Sequence, residues 1–155
     1  MRKEVKKFII YVIFVFVTGF SAFFIYGSMQ SSQYDGTAVP YIMETLPKIS
    51  TWDPEIVKQL MAPEVLKTVS AENLANILAA LADIGELQSI GDATFKNKST
   101  DGTGGNVQLI NEPVITYEVE AQYSTGDAKV IISMIDRGGS YEIYHFNFKS
   151  KALFQ

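Results

Sequence analysis

The sequence predicts an α+β protein in which an N-terminal transmembrane helix precedes one domain, built from helices first and an antiparallel sheet afterwards. Three observations carry this reading. An apolar run near the start is long enough to cross a bilayer. The next stretch spaces its apolar residues as helices do, and the last third changes to strand-like alternation. At 155 residues there is room for one domain and an appendage.

Residues 1–7 form a basic N-terminus in which Arg2, Lys3, Lys6 and Lys7 outnumber Glu4. From Phe8 to Tyr26, nineteen consecutive residues carry no charge, and Phe8, Phe14, Phe16, Phe20, Phe23 and Phe24 are six of the ten phenylalanines. As a helix this run is ~28 Å long, close to the apolar thickness of a bilayer. Gly27–Val39 carries only Asp35, so the positive-inside rule keeps the N-terminus cytoplasmic and exports the remainder. A cleaved signal peptide is the alternative. Its apolar core is shorter, about 7–15 residues, and cleavage at Gly19-Phe20-Ser21 would leave Phe23 to Tyr26 as an apolar new terminus. The expectation is a single-pass protein of a bacterial inner membrane, with lipid around residues 8–26 and the C-terminal domain periplasmic or extracellular.

Residues 27–38 are polar and read as a linker, leaving 39–155 as the domain. Beyond residue 7 the chain holds nine basic and sixteen acidic groups. That balance argues against nucleic acid as a partner and against adhesion to anionic headgroups. With no cysteine, disulfides and thiolate metal sites are excluded.

Within the domain, Val39, Ile42, Met43, Leu46 and Ile49 follow the spacing of an amphipathic helix that Pro47 interrupts. Asp53-Pro54 is a cap followed by proline at the first helical position, and a second helix starts there. Pro63 opens a short third helix to Thr68. Ser70 caps a fourth, with Leu74, Ile77, Leu78 and Leu81 on one face, and Gly91 ends the helical region. Ile115, Tyr117, Val119, Ala121 and Tyr123 then alternate with Thr116, Glu118, Glu120 and Gln122, as in a strand with one wet face. Val130–Ile135 reads as a central strand and Tyr141–Phe148 as a third, joined by the turn Arg137 to Ser140. Thr94–Lys98 and Val107–Ile110 are further strand candidates around a loop from Ser99 to Gly105.

The closing pattern, Val130–Ile135, Arg137-Gly138-Gly139, Tyr141-Glu142-Ile143 and Phe146-Asn147-Phe148, resembles the nuclear transport factor 2-like (cystatin-like, SnoaL-like) superfamily. Tyr141 stands where that family often has tryptophan. The Leu-rich helix Glu72–Leu87 also fits, and the resemblance covers Val39 to Leu153. It implies a cone-like domain, in which three to four helices pack on a curved antiparallel sheet that wraps around them. More narrowly, the chain resembles small bacterial proteins with one anchor and one such exported domain. The inner-membrane assembly subunit of type IV secretion systems shares that plan in a longer chain.

Enzymes of this superfamily need an acid or base in an apolar pocket. The one histidine is His145; if Tyr144, Phe146 and Phe148 share a face, His145 points the other way with Tyr141 and Ile143. Glu118 and Glu120 stand two apart on a strand face and are the other catalytic candidates, with a solvated face as the plainer reading. Trp52, Tyr117, Tyr123, Tyr141, Phe146 and Phe148 belong to the core or line a partner site or cavity. Asp101-Gly102-Thr103-Gly104-Gly105 matches no nucleotide-binding fingerprint. The residues suggest no metal site and no cofactor. The leading expectation is a membrane-anchored, non-enzymatic assembly module that docks a membrane or envelope protein. A binder of small hydrophobic ligands in a cone cavity, and an isomerase or dehydratase, are the alternatives.

Overall fold

The structure is a computed structural model that describes Lys7 and residues 33–99 and 112–154. The chain divides into two compact units, Met1–Gly36 and Thr37–Gln155. In the first, Lys7 and residues 33–36 are helical. The second carries the sheet and the other helices.

Helix α1 spans residues 33–49, so helix already occupies 33–38, where a linker was expected. Ile42, Leu46 and Ile49 are its fully buried stripe, while Glu44 and Lys48 pair at 2.9 Å on the wet side. Pro47 is exposed in the last turn, and the helix runs past it to residue 49. The chain then reverses through Trp52, which takes a left-handed φ of 58°. Helix α2 (Pro54–Leu60) starts under the Asp53 cap, whose carboxylate accepts from the Glu55 amide at 2.9 Å. Helix α3 (Pro63–Leu66) is a single turn. Helix α4 (Ala71–Leu81) is capped by Ser70 and buries Leu74 and Leu78, leaving Ile77 48% exposed.

A 3-10 turn (Ala82–Ile84) leads to Gly85 at φ 92°. A Cβ there would lie 1.9 Å from the Ser124 hydroxyl, so only glycine fits. The close approach is used: the Thr125 hydroxyl donates to the Ile84 carbonyl at 2.5 Å, and the Ser124 amide to the Glu86 carbonyl at 2.9 Å.

Strands β1 (Leu87–Ser99), β2 (Val114–Tyr123), β3 (Gly126–Asp136) and β4 (Tyr141–Ser150) form an antiparallel meander in the order β1-β2-β3-β4. β1 is longer than the Thr94–Lys98 expected and runs through Gly91, where the helical region was expected to end. It absorbs that irregularity in bulges, one of them between Ile90 and Ala93. The candidate strand Val107–Ile110 and the glycine-rich loop lie outside the described residues.

Two expectations are corrected. The cone is absent: each strand pairs only with its sequence neighbours, and β1 and β4 remain separate edges, so the sheet neither closes nor curls around the helices. No helix among the described residues is long and apolar enough to cross a membrane. Spanning takes about 20 apolar residues. The seventeen described residues of α1 carry the Glu44–Lys48 pair, and α4 has eleven residues. The structure therefore gives no support to a single-pass inner-membrane topology, a lipid partner or a periplasmic domain. The run containing Phe8, Phe14, Phe16, Phe20, Phe23, Phe24 and Tyr26, and the basic residues Arg2, Lys3 and Lys6, lie outside the described residues. Lys7 is helical and exposed.

The core lies between helices and sheet. Ile115, Tyr117 and Val119 from β2 meet Val130, Ile132 and Met134 from β3, all fully buried, and Ile143 and Phe148 complete the layer from β4.

Candidate binding face

A bulge in β4 sets which side chains reach each face. Ser133 pairs with His145, but Met134 pairs with Ile143, leaving Tyr144 as the extra residue. Ile143 is thereby on the inner face with Phe146 and Phe148, whereas strict alternation put it with His145. Tyr144 instead packs on a small outer cluster of Ala62, Val114, Ile135 and Val65. One extra residue inverts half of a strand.

That cluster closes one end of the outer face. Residues 61 and 62 run along the β4 edge, where Met61 bridges Ile143 and the Ala62 amide donates to the Ile143 carbonyl at 2.9 Å. Beside it, Arg137 donates to both oxygens of Glu64, at 2.8 and 2.7 Å, to Glu142 at 2.9 and 3.0 Å, and to Glu112. One guanidinium thus ties α3, the entry to β2 and the start of β4 together. Its bond to the Glu64 carboxylate pushes the Arg137 pKa further up, and in return holds the Glu64 carboxyl below the usual range. Glu142 stands five residues from Arg137 across a short turn and is suggested by spacing. Glu64 is 73 residues away, and nothing in the sequence joins it to Arg137.

Among the described residues, the rest of the outer face carries no helix. Cross-strand register arranges it in rows: Thr116, Ser133 and His145; Glu118, Ile131 and Asn147; Glu120, Lys129 and Lys149. The Thr116 and Ser133 hydroxyls share a hydrogen bond of 2.8 Å. Glu118 lies 3.5 Å from both Lys96 and Lys129. Desolvation opposes its charge, but the two ammonium groups outweigh that and lower its pKa. Glu118 is therefore a cross-strand ion-pairing group, and Glu120 stands exposed on the same wet face. His145 is exposed beside Ser133, whose hydroxyl is engaged by Thr116, and among the described residues no hydrogen bond joins the two.

An open depression of about 660 Å³ crosses the outer face near the β2–β3 turn, lined by Ser89, Gly91, Gln122, Lys129, Lys149 and Lys151 among others. Ala121 and Ala128 line it as well, and more of its wall is apolar than polar. The apolar cone cavity expected for a hydrophobic ligand is replaced by packed side chains. Tyr117 and Tyr123 are 0% and 1% exposed, and the rings of Trp52, Tyr123, Phe146 and Phe148 form a chain with centroids 5.4–6.1 Å apart. The Tyr123 hydroxyl bonds Ser50 at 2.8 Å, and burial raises its pKa. The Trp52 ring nitrogen donates to the Gly85 carbonyl at 3.1 Å. Tyr141 reaches α1, its hydroxyl 2.6 Å from that of Thr37 and its ring 5.5 Å from Tyr41. These aromatic residues hold helices to sheet. Among the described residues, no group of three or more acidic or histidine side chains is placed to hold a metal.

No family model, curated protein or solved structure matches the chain.

Proposed function

We propose that this chain is a binding protein whose working surface is the open outer face of its sheet. The observation that carries this is the asymmetry of the two faces. The inner face is sealed by α1, α2 and α4, with its middle residues fully buried. The outer face presents ordered rows of charged and hydroxyl side chains, closed among the described residues at one end only, by α3 and Arg137. A rigid sheet is a firm platform for polar contacts, because its side chains are already held in place by cross-strand pairing.

Amine cross-linking of the full chain in extracts of its own cells, read by mass spectrometry, tests the proposal. Lys96, Lys129 and Lys149 lie on the sheet, and Lys48, Lys58 and Lys67 on the helical side. Links from the first set to a protein partner are expected; links confined to the second set would overturn it.

We also propose kinship with the nuclear transport factor 2-like superfamily at the level of element order. The helices ahead of a four-strand meander and the closing pair of strands support it. Backbone NMR that paired the strands in another order would end it.

A further inference from the structure

We infer that the occupant of the outer face is a second copy of this chain, packed sheet on sheet about a two-fold axis that runs along the strands between β2 and β3. The inference rests on the outer-face reading above and names its partner.

The argument is one of charge and register. A half-turn about that axis lays β2 of one copy over β3 of the other at the same level, and β1 over β4. The row Glu120, Lys129, Lys149 then sets each Glu120 against the partner's Lys129. Asp92, in the β1 bulge opposite Glu120, comes over the partner's Lys149. In the next row Glu118, neutralised by Lys96 and Lys129 of its own sheet, lies over the partner's Ile131, and one row further Thr116 meets the partner's Ser133, a hydroxyl on a hydroxyl. The two neighbouring axes fail the same test. Between β3 and β4, Lys129 would stack on the partner's Lys149; between β1 and β2, Asp92 would stack on the partner's Glu120. Like charges so placed repel. Among the inter-strand axes, the one between β2 and β3 alone pairs opposite signs in this row.

Among the described residues, the helical side offers no comparable surface. Residues 37–86 carry three lysines against seven carboxylates, so two copies approaching by that side repel. Packed sheets stand about 10 Å apart, within reach of facing lysine and glutamate side chains. Clear of the end that α3 closes, four strands about 4.8 Å apart and roughly eight residues long present on the order of 500 Å² per copy. That is the low end for specific interfaces and predicts a dimer that dissociates in the micromolar range.

Sedimentation velocity of the full chain from about 1 to 300 μM tests this. The wild type is expected to pass from monomer to dimer across the series. Glu120→Lys alone and Lys129→Glu alone each set like charges across the axis and are expected to weaken the dimer by roughly tenfold or more. An equimolar mixture of the two single variants restores opposite charges at both positions, so a heterodimer is expected, which no repair within one sheet can explain. Circular dichroism melts confirm that each variant is folded. A monomer at every concentration, a dimer indifferent to both substitutions, or a mixture without recovery would overturn the inference. If cross-links from Lys129 and Lys149 still reach another protein, the binding-face proposal survives that failure; if they do not, both fall.

Discussion

Ile131 and Ile132 are consecutive, yet they stand on opposite faces of β3 and in different environments. Ile132 is wholly buried beneath the helices, paired with Tyr117 on one side and Phe146 on the other. Ile131 is half-buried between Glu118 and Asn147. The inner face gains its stability from removal of apolar area, which carries no titrating group. The outer face is held by cross-strand hydrogen bonds and screened ion pairs, each of small net value. A sheet of this kind can change its outer residues cheaply, which suits a surface that evolves toward a partner.

Substitutions can break or sharpen that contrast. The largest effect is expected on the inner face: Tyr117→Ala removes a fully buried ring that meets Phe95 at 5.6 Å, and should cost about 3–5 kcal/mol in urea denaturation. Next comes the closed end of the outer face. Arg137→Ala leaves three carboxylates facing one another without their cation, at about 1–3 kcal/mol, since the site is partly solvated. The same cluster sets a pH dependence. The Glu64 carboxyl is held low in the folded chain by the Arg137 hydrogen bond. Its contribution is complete above the ordinary carboxylate value and is lost as pH falls through the lowered folded value. Urea midpoints of the wild type should fall across that acid window, and Arg137→Ala should fall less, because protonation there relieves repulsion. A smaller loss, about 1 kcal/mol, is expected when Ser70→Ala removes the α4 cap, whose hydroxyl accepts from the Asn73 amide at 3.1 Å. Glu118→Gln, on the open face, should shift stability by no more than about 0.5 kcal/mol.

Much of this architecture is legible in the sequence. The caps at Asp53 and Ser70 mark helix starts because short-range chemistry sets them, and β2 declares itself by alternation over nine residues from Ile115 to Tyr123. The β4 faces depart from strict alternation because a bulge adds one residue without leaving a mark in the apolar pattern. β1 was underestimated because Gly91 and Asp92 look like a break, whereas in place they are a bulge against Glu120. The curled cone failed for a longer-range reason: whether edge strands meet depends on twist accumulated across the sheet, which no local pattern records. The Arg137 cluster likewise joins segments that only the fold brings together.

The central claim is that the inner face holds the fold and the outer face is free to bind. Urea denaturation of Ile132→Ala beside Ile131→Ala tests it most directly, since the two changes delete the same atoms one residue apart. A loss of about 2–4 kcal/mol at 132 and under about 1 kcal/mol at 131 is predicted. Equal losses at both positions would mean that the outer face is packed as tightly as the inner, and would contradict the account.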